Sequence, residues 1–202
     1  MVYRINNMET TLKLVITTVA EKGGGKGLFV ELVKKLLPEK RIASVRFSDP
    51  IREILEILDK EVTRENTQIL ATAIRKGFGD EAIFAPALKK RIRNMDADII
   101  ILDGLRKAEE VPYVHDLKGV LVYISVSPET RFERIKNRGE NAGEKDLTWE
   151  QFLREEQGAP EVTIKHAGET MADVMIENNG TVAEFEGKIK NFLEEFVLPK
   201  LP

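Results

Sequence analysis

The chain has 202 residues, 42% hydrophobic and 32% charged, with 31 basic residues against 34 acidic ones and no cysteine. A net charge of -3 gives no overall grip on nucleic acid or an anionic membrane. The missing cysteines exclude a disulfide framework, a thiolate nucleophile and a Cys-type zinc site, so a metal would sit on oxygen.

Residues 1–10 carry no periodicity and are set aside as a tail, with Met8 as an alternative start. Leu12 to Val19 reads as a buried strand. Phe29, Leu32, Val33, Leu36 and Leu37 then recur at helical spacing until Pro38. A second strand is predicted over Ile42 to Phe47, followed by a helix with Asp49 as N-cap and Pro50 at its first position. Thr63 caps a helix over Arg64 to Lys76, and Asp80 opens another helical stretch to about Asn94. Ile99 to Leu102 is a short, continuous apolar strand of the kind buried on both faces. Gly119 to Val126 is a fourth strand, after which Ser127 and Pro128 open a helix to Arg138.

The pattern then breaks. Gly139 to Asp146 is polar and glycine-bearing, and with a helix around Trp149 to Glu156 it reads as a mobile segment. There Trp149 and Phe152 either anchor the segment or stack a base. Asp173 to Ile176 is the last strand. Thr181 and Glu184 form a capping box for a final helix that buries Val182, Phe185, Ile189, Phe192 and Phe196. No apolar run is long enough for a membrane span, and the N-terminus lacks a signal-sequence pattern.

Strands alternating with helices imply a parallel sheet covered on both faces, with ligands beyond the carboxyl ends of the strands. After the first strand comes Ala20-Glu21-Lys22-Gly23-Gly24-Gly25-Lys26-Gly27, and a helix begins at once. Such a turn aims backbone N–H groups at phosphate oxygens, the helix N-terminus adds its dipole, and Lys26 can reach the β and γ phosphates. This is a P-loop in position and chemistry. It departs from the usual pattern at two places: Ala20 stands at the first glycine position, and Gly27 with Leu28 replaces the Ser/Thr whose hydroxyl normally touches Mg²⁺ or phosphate. A dinucleotide-binding turn would need glycine at Leu28.

The third strand ends in Asp103-Gly104-Leu105-Arg106, which puts a carboxylate suited to Mg²⁺ or its waters at the P-loop mouth, with Arg106 as a phosphate clamp. Asp49 is explained equally by capping and by substrate contact. Arg52 and Arg75 lie in the segment that would receive an acceptor. Arg131, Arg134 and Arg138 share one helix face, within about 60°, and none has an acid three or four residues away. Unpaired like charges want a tertiary acid or a bound anion; the anion is the expectation. His115 and His166 are too few for a His-based site.

In order and content these segments resemble the nucleoside monophosphate kinase branch of P-loop kinases. Phe47-Ser48-Asp49-Pro50-Ile51-Arg52 looks like the segment after the second strand of phage-type deoxynucleoside monophosphate kinases. Thr63-Arg64-Glu65, with Gln68, Leu70 and Arg75, is similar to their acceptor-binding helix. The Lys26-Gly27 ending is that of adenylate kinases, and Arg134-x-x-x-Arg138 matches the element that opens their lid. Asp103-Gly104-Leu105-Arg106 and Ala172 to Thr181 are similar to segments of dephospho-CoA kinases and their relatives.

The resemblance implies an α/β, three-layer P-loop NTPase fold: one domain over 1–202 with a parallel five-stranded sheet, a helical acceptor-binding region at 48–94 and a lid at 139–158. It implies ATP as donor with Mg²⁺, held by Gly23, Gly24, Gly25, Lys26, Gly27 and Leu28, with Asn178 and Gly180 near the adenine and Asp103 at the metal. Asp49, Arg52, Arg75 and Arg106 would bind the acceptor, and Lys26, Asp103, Arg134 and Arg138 would carry catalysis. The expected activity is transfer of the γ-phosphoryl group to a nucleoside or deoxynucleoside monophosphate. The alternatives are a dephospho-CoA kinase-like enzyme and a nucleotide-binding regulator without turnover. A cytoplasmic monomer or homodimer is expected, acting on small-molecule nucleotides, with neither nucleic acid nor membrane as a partner.

Overall fold

The computed structural model describes residues 13–139 and 144–201; the 1–10 tail, Leu12 and residues 140–143 of the predicted lid lie outside them. In chain order the elements are β1 (Leu14–Val19), α1 (Lys26–Leu36), β2 (Ile42–Arg46), α2 (Asp49–Ile57), α3 (Arg64–Phe78), α4 (Ala85–Asn94) and β3 (Ile99–Asp103). Then follow α5 (Val111–Asp116), β4 (Val120–Ser125), α6 (Pro128–Arg138), α7 (Trp149–Glu156), α8 (Ala159–Met171), β5 (Val174–Glu177) and α9 (Val182–Phe192).

The five strands form one parallel sheet in the order β2-β3-β1-β4-β5. All six residues of β1 are buried, as are the four isoleucine and leucine residues of β3, because these central strands are covered on both faces. On one face Leu14, Ile16, Ile99, Ile101 and Val122 pack with Phe29 of α1 and Phe185 and Ile189 of α9. On the other, Val15, Val19, Ile100, Leu102 and Leu121 meet Leu88 of α4, Val114 of α5 and Ile164 of α8. This is the three-layer α/β architecture that the order of elements implies.

Caps place the helix starts. Thr63 accepts a hydrogen bond from the Asn66 N–H at 3.0 Å, Ser127 caps α6, and Thr181 with Glu184 forms the predicted box at α9. At α2 the expectation is corrected. Ser48 occupies the N-cap position, while the Asp49 carboxylate accepts from the Arg46 N–H at 2.9 Å and so ties the end of β2 to the helix. Val182 is likewise exposed rather than buried.

The sequence pattern did not predict α5 and α8. The six residues of α5 are too few to establish a period. In α8 the buried face is built from Ile164, Ala167 and Gly168, and a Cβ at Gly168 would lie 2.4 Å from the Tyr123 ring. A helix packed that close needs small residues, and small residues leave a weak apolar signal.

Candidate active site

β1 delivers the chain to a turn in which the Gly24 N–H donates to the Glu21 carbonyl at 3.0 Å and α1 begins at Lys26. Gly23 (φ 81°) and Gly25 (φ 94°) are left-handed, a region costly for other residues. Space is as limiting as conformation. A Cβ on Gly24 would lie 2.6 Å from the Ala20 Cβ, and one on Gly25 would lie 2.6 Å from Asn178 Nδ2. Gly27, by contrast, faces open space, and Leu28 turns its side chain into the core.

The Lys26 ammonium folds across the turn and donates to the Ala20 carbonyl at 2.8 Å. Burial pushes its pKa below the usual lysine range; Asp103 opposes this most, and Arg106 adds to the lowering. Asp103 ends β3 and is in register with Thr18 of β1 and Arg46 of β2. One of its carboxylate oxygens, Oδ1, is buried without a hydrogen-bond partner, as are Glu21 Oε2 and Arg134 Nη1. The other Glu21 oxygen accepts from the Tyr123 hydroxyl at 3.1 Å.

Asn178 follows β5, is buried, and donates from Nδ2 to the Gly24 carbonyl at 3.1 Å. Its Oδ1 lies 3.5 Å from Arg134 Nη2, so one amide joins β5, the glycine turn and α6. Burial lowers the Arg134 pKa. Gly180 sits before the α9 cap, where a Cβ would strike the Glu184 carboxylate.

The arginine face of α6 has tertiary partners, which corrects the expectation that it awaits an anion along its whole length. Arg131 is buried, and its guanidinium forms a two-pronged pair with Glu156 of α7, with Nη1 to Oε1 at 2.7 Å. It also donates to the Val126 carbonyl and lies over the Phe152 ring. Arg138 reaches Glu144 at 3.1 Å, and Glu144 also pairs with Lys22 at 3.3 Å. Glu156 is 25 residues beyond Arg131 and cannot be found by looking three or four positions away. Trp149 and Phe152 pack with Phe132, so both anchor α7 to α6.

The arginines predicted for an acceptor divide. Arg75 is engaged: it donates from Nε to the Glu81 carbonyl at 2.9 Å and from Nη2 to Glu110 at 3.0 Å, and it covers the Phe84 ring. Arg52 is half-buried and Arg106 exposed. Neither guanidinium has an acid partner among the described residues. Asp49 lies 3.7 Å from Arg91 in addition to its bond with the β2 end. His115 is beside Asp173 at 3.4 Å, and His166 is exposed.

Sequence reasoning missed Glu110, a fully buried carboxylate. Burial pushes its pKa up, opposed by the Arg106 N–H, the Arg75 charge and the Lys107 N–H. No local spacing signals it, since its Arg75 partner lies 35 residues away in the chain.

Among the described residues no group of three metal-ligating side chains occurs. Two carboxylates at this edge keep a buried oxygen without a partner, Asp103 and Glu21, so a divalent cation there would rest on few protein ligands, with phosphate and water oxygens completing its shell. The unpaired Oδ1 fits that role.

No family model matches the chain. The UPF0200 protein of Methanocaldococcus jannaschii is 32% identical over 186 residues, covering 91% of this chain and 91% of its own. The chain belongs to the UPF0200 family. A UPF0200 protein from Thermococcus gammatolerans is 29% identical over 190 residues, covering 91% and 96% of the two chains. Among solved structures, shikimate kinase from Bacteroides thetaiotaomicron superposes with a TM-score of 0.56 at 14% identity, over 90% of this UPF0200 chain and 96% of that one. A gluconokinase from Sinorhizobium meliloti gives 0.51 at 11% identity, over 93% and 94%. The fold is that of the P-loop kinases. No helix among the described residues is long and apolar enough to cross a membrane.

Proposed function

We propose that this UPF0200 protein is an ATP-dependent phosphotransferase that moves the γ-phosphoryl group to a nucleoside or deoxynucleoside monophosphate. The observation that carries the reading is the buried, unpartnered Asp103 oxygen at the P-loop mouth, electrostatically coupled to Lys26 at the carboxyl edge of a P-loop kinase fold. An unsatisfied buried carboxylate oxygen costs about 1–3 kcal/mol or more, and a bound metal ion would relieve that cost.

In this reading the amides of Gly23, Gly25, Lys26, Gly27 and Leu28, with the Lys26 ammonium, hold the donor phosphates, while the Gly24 N–H stays on the Glu21 carbonyl. Since Lys26 rests on the Ala20 carbonyl, it need only swing from that oxygen to a phosphate oxygen. Asp103 holds Mg²⁺, which when bound supplies charge neutralisation on the phosphates. No side chain at Gly27 assists it. Arg134, with its free Nη1, neutralises charge on the transferring group, and Arg138 does so after exchanging Glu144 for phosphate. Arg52 and Arg106 hold the acceptor phosphate beside the region 48–94. The acceptor's phosphate oxygen bonds to the γ-phosphorus as the bond to the β,γ-bridging oxygen breaks, leaving ADP. Asn178 acts behind the glycine turn, which it braces.

The test is a transfer panel: protein with MgATP and, separately, each ribo- and deoxynucleoside monophosphate and dephospho-CoA, products separated by chromatography, with Lys26→Ala alongside. Acceptor-dependent product that disappears in the variant is expected. Product with dephospho-CoA alone would move the acceptor class. ATP binding without any product would make the protein a nucleotide-binding regulator.

A further inference from the structure

Glu110 is fully buried, yet no step above uses it. Both of its oxygens are committed. Oε1 accepts from Arg75 Nη2 at 3.0 Å, and Oε2 accepts the N–H groups of Arg106 at 2.9 Å and Lys107 at 3.2 Å. One carboxylate thus links α3 to the backbone of the residue that carries the unpaired guanidinium. The link is doubled nearby, where Lys107 Nζ lies 2.6 Å from Glu81, the residue whose carbonyl receives Arg75.

The turn is held at its other end too. Gly104 is left-handed (φ 85°), and Leu105 is buried in the core beneath β3. The backbone of Arg106 is therefore pinned on both sides while its side chain stays exposed and without an acid partner. Stability alone is a poor reason for this arrangement, since a buried ion pair seldom stabilises more than apolar packing of equal volume. A fixed backbone under a free charge is what positioning requires.

We propose that Glu110 is a positioning residue: through Arg75 it fixes the Asp103–Arg106 turn against α3, so that Arg106 meets the acceptor's anionic group at a set distance from Lys26. The proposal rests on the phosphotransferase reading for its consequence, though not for its geometry. Arg75, expected to touch the acceptor, acts from behind the site.

Two measurements on Glu110→Gln test it, with Arg75→Lys as a second variant should the first fail to fold. Amide hydrogen exchange is read by NMR without substrate; the Arg106 and Lys107 amides should exchange about 10-fold faster in the variant, with the strands of the sheet unchanged. In the transfer assay, the acceptor KM should rise about 10-fold while the ATP KM moves less than about 2-fold. The double variant Glu110→Gln/Arg106→Ala should be no worse than Arg106→Ala alone, because Glu110 acts through that arginine.

Unchanged exchange at Arg106 and Lys107 would overturn the proposal. So would uniformly faster exchange, equal rises in both KM values, or effects that multiply in the double variant, all of which describe a merely structural residue. If the wild-type protein transfers phosphate to no acceptor, the phosphotransferase reading falls, and the exchange measurement still decides whether Glu110 holds the turn.

Discussion

Two groups of charged side chains border the carboxyl ends of the strands, and they differ in how far the protein satisfies them. At the glycine turn Asp103, Glu21 and Arg134 each keep a buried polar atom without a partner. Beside them Arg75 with Glu110, and Arg131 with Glu156, use their charges on each other. In the proposed function the first group is left unsatisfied for the ligand to complete. The second builds the frame that keeps the first in place.

That contrast can be attacked from either side, and the largest effect on stability should come from the frame. Arg131→Met removes one partner of a buried pair and strands Glu156; a loss of about 3 kcal/mol or more is expected in urea denaturation. A loss below about 1 kcal/mol would mean that the pair is not structural. Asp103→Asn should show the opposite signature. Transfer falls by about 100-fold or more, while the denaturation midpoint changes little, because the Asp103 Oδ1 atom has no hydrogen-bond partner to lose. A midpoint that falls with activity would place Asp103 in the frame instead.

Gly24→Ala lies between these two cases. Its Cβ would meet the Ala20 Cβ at 2.6 Å, so about 2 kcal/mol of stability and most ATP affinity should be lost together. Thr63→Ala, far from the glycine turn, should cost about 1 kcal/mol by loss of the α3 cap and leave ATP affinity unaltered by calorimetry. The smallest effect concerns acid. Arg41 donates to Asp98 and holds its pKa at about 2, well below the ordinary 3.8. The unfolded chain therefore binds the proton first, and this contribution is present above about pH 4 and lost as pH falls toward 2. Asp98→Asn should flatten that part of the acid unfolding profile.

The same division explains what could be read from the sequence. The glycine turn, the buried central strands and the caps at Thr63, Ser127 and Thr181 are local: a left-handed turn demands glycine, and a cap demands an oxygen at one position. The place of Asp103 at the carboxyl end of β3 was legible because the short apolar run leads straight into it. Pairings across the fold were not. Arg131 looked unpaired since its acid arrives from α7, Arg75 looked available since Glu110 arrives from beyond β3, and α8 was hidden by the small residues that let it approach Tyr123. Long-range charge pairing has no period, so spacing rules cannot find it.

The central claim, that the unsatisfied group at the glycine turn is a site for MgATP, is tested most directly by calorimetric titration of ATP with and without Mg²⁺ into the wild-type protein, Lys26→Ala and Asp103→Asn. Binding to wild type that Mg²⁺ strengthens, an affinity about 100-fold lower in Lys26→Ala, and loss of the Mg²⁺ effect in Asp103→Asn are predicted. Equal affinities in all three proteins, or no binding to any, would contradict it.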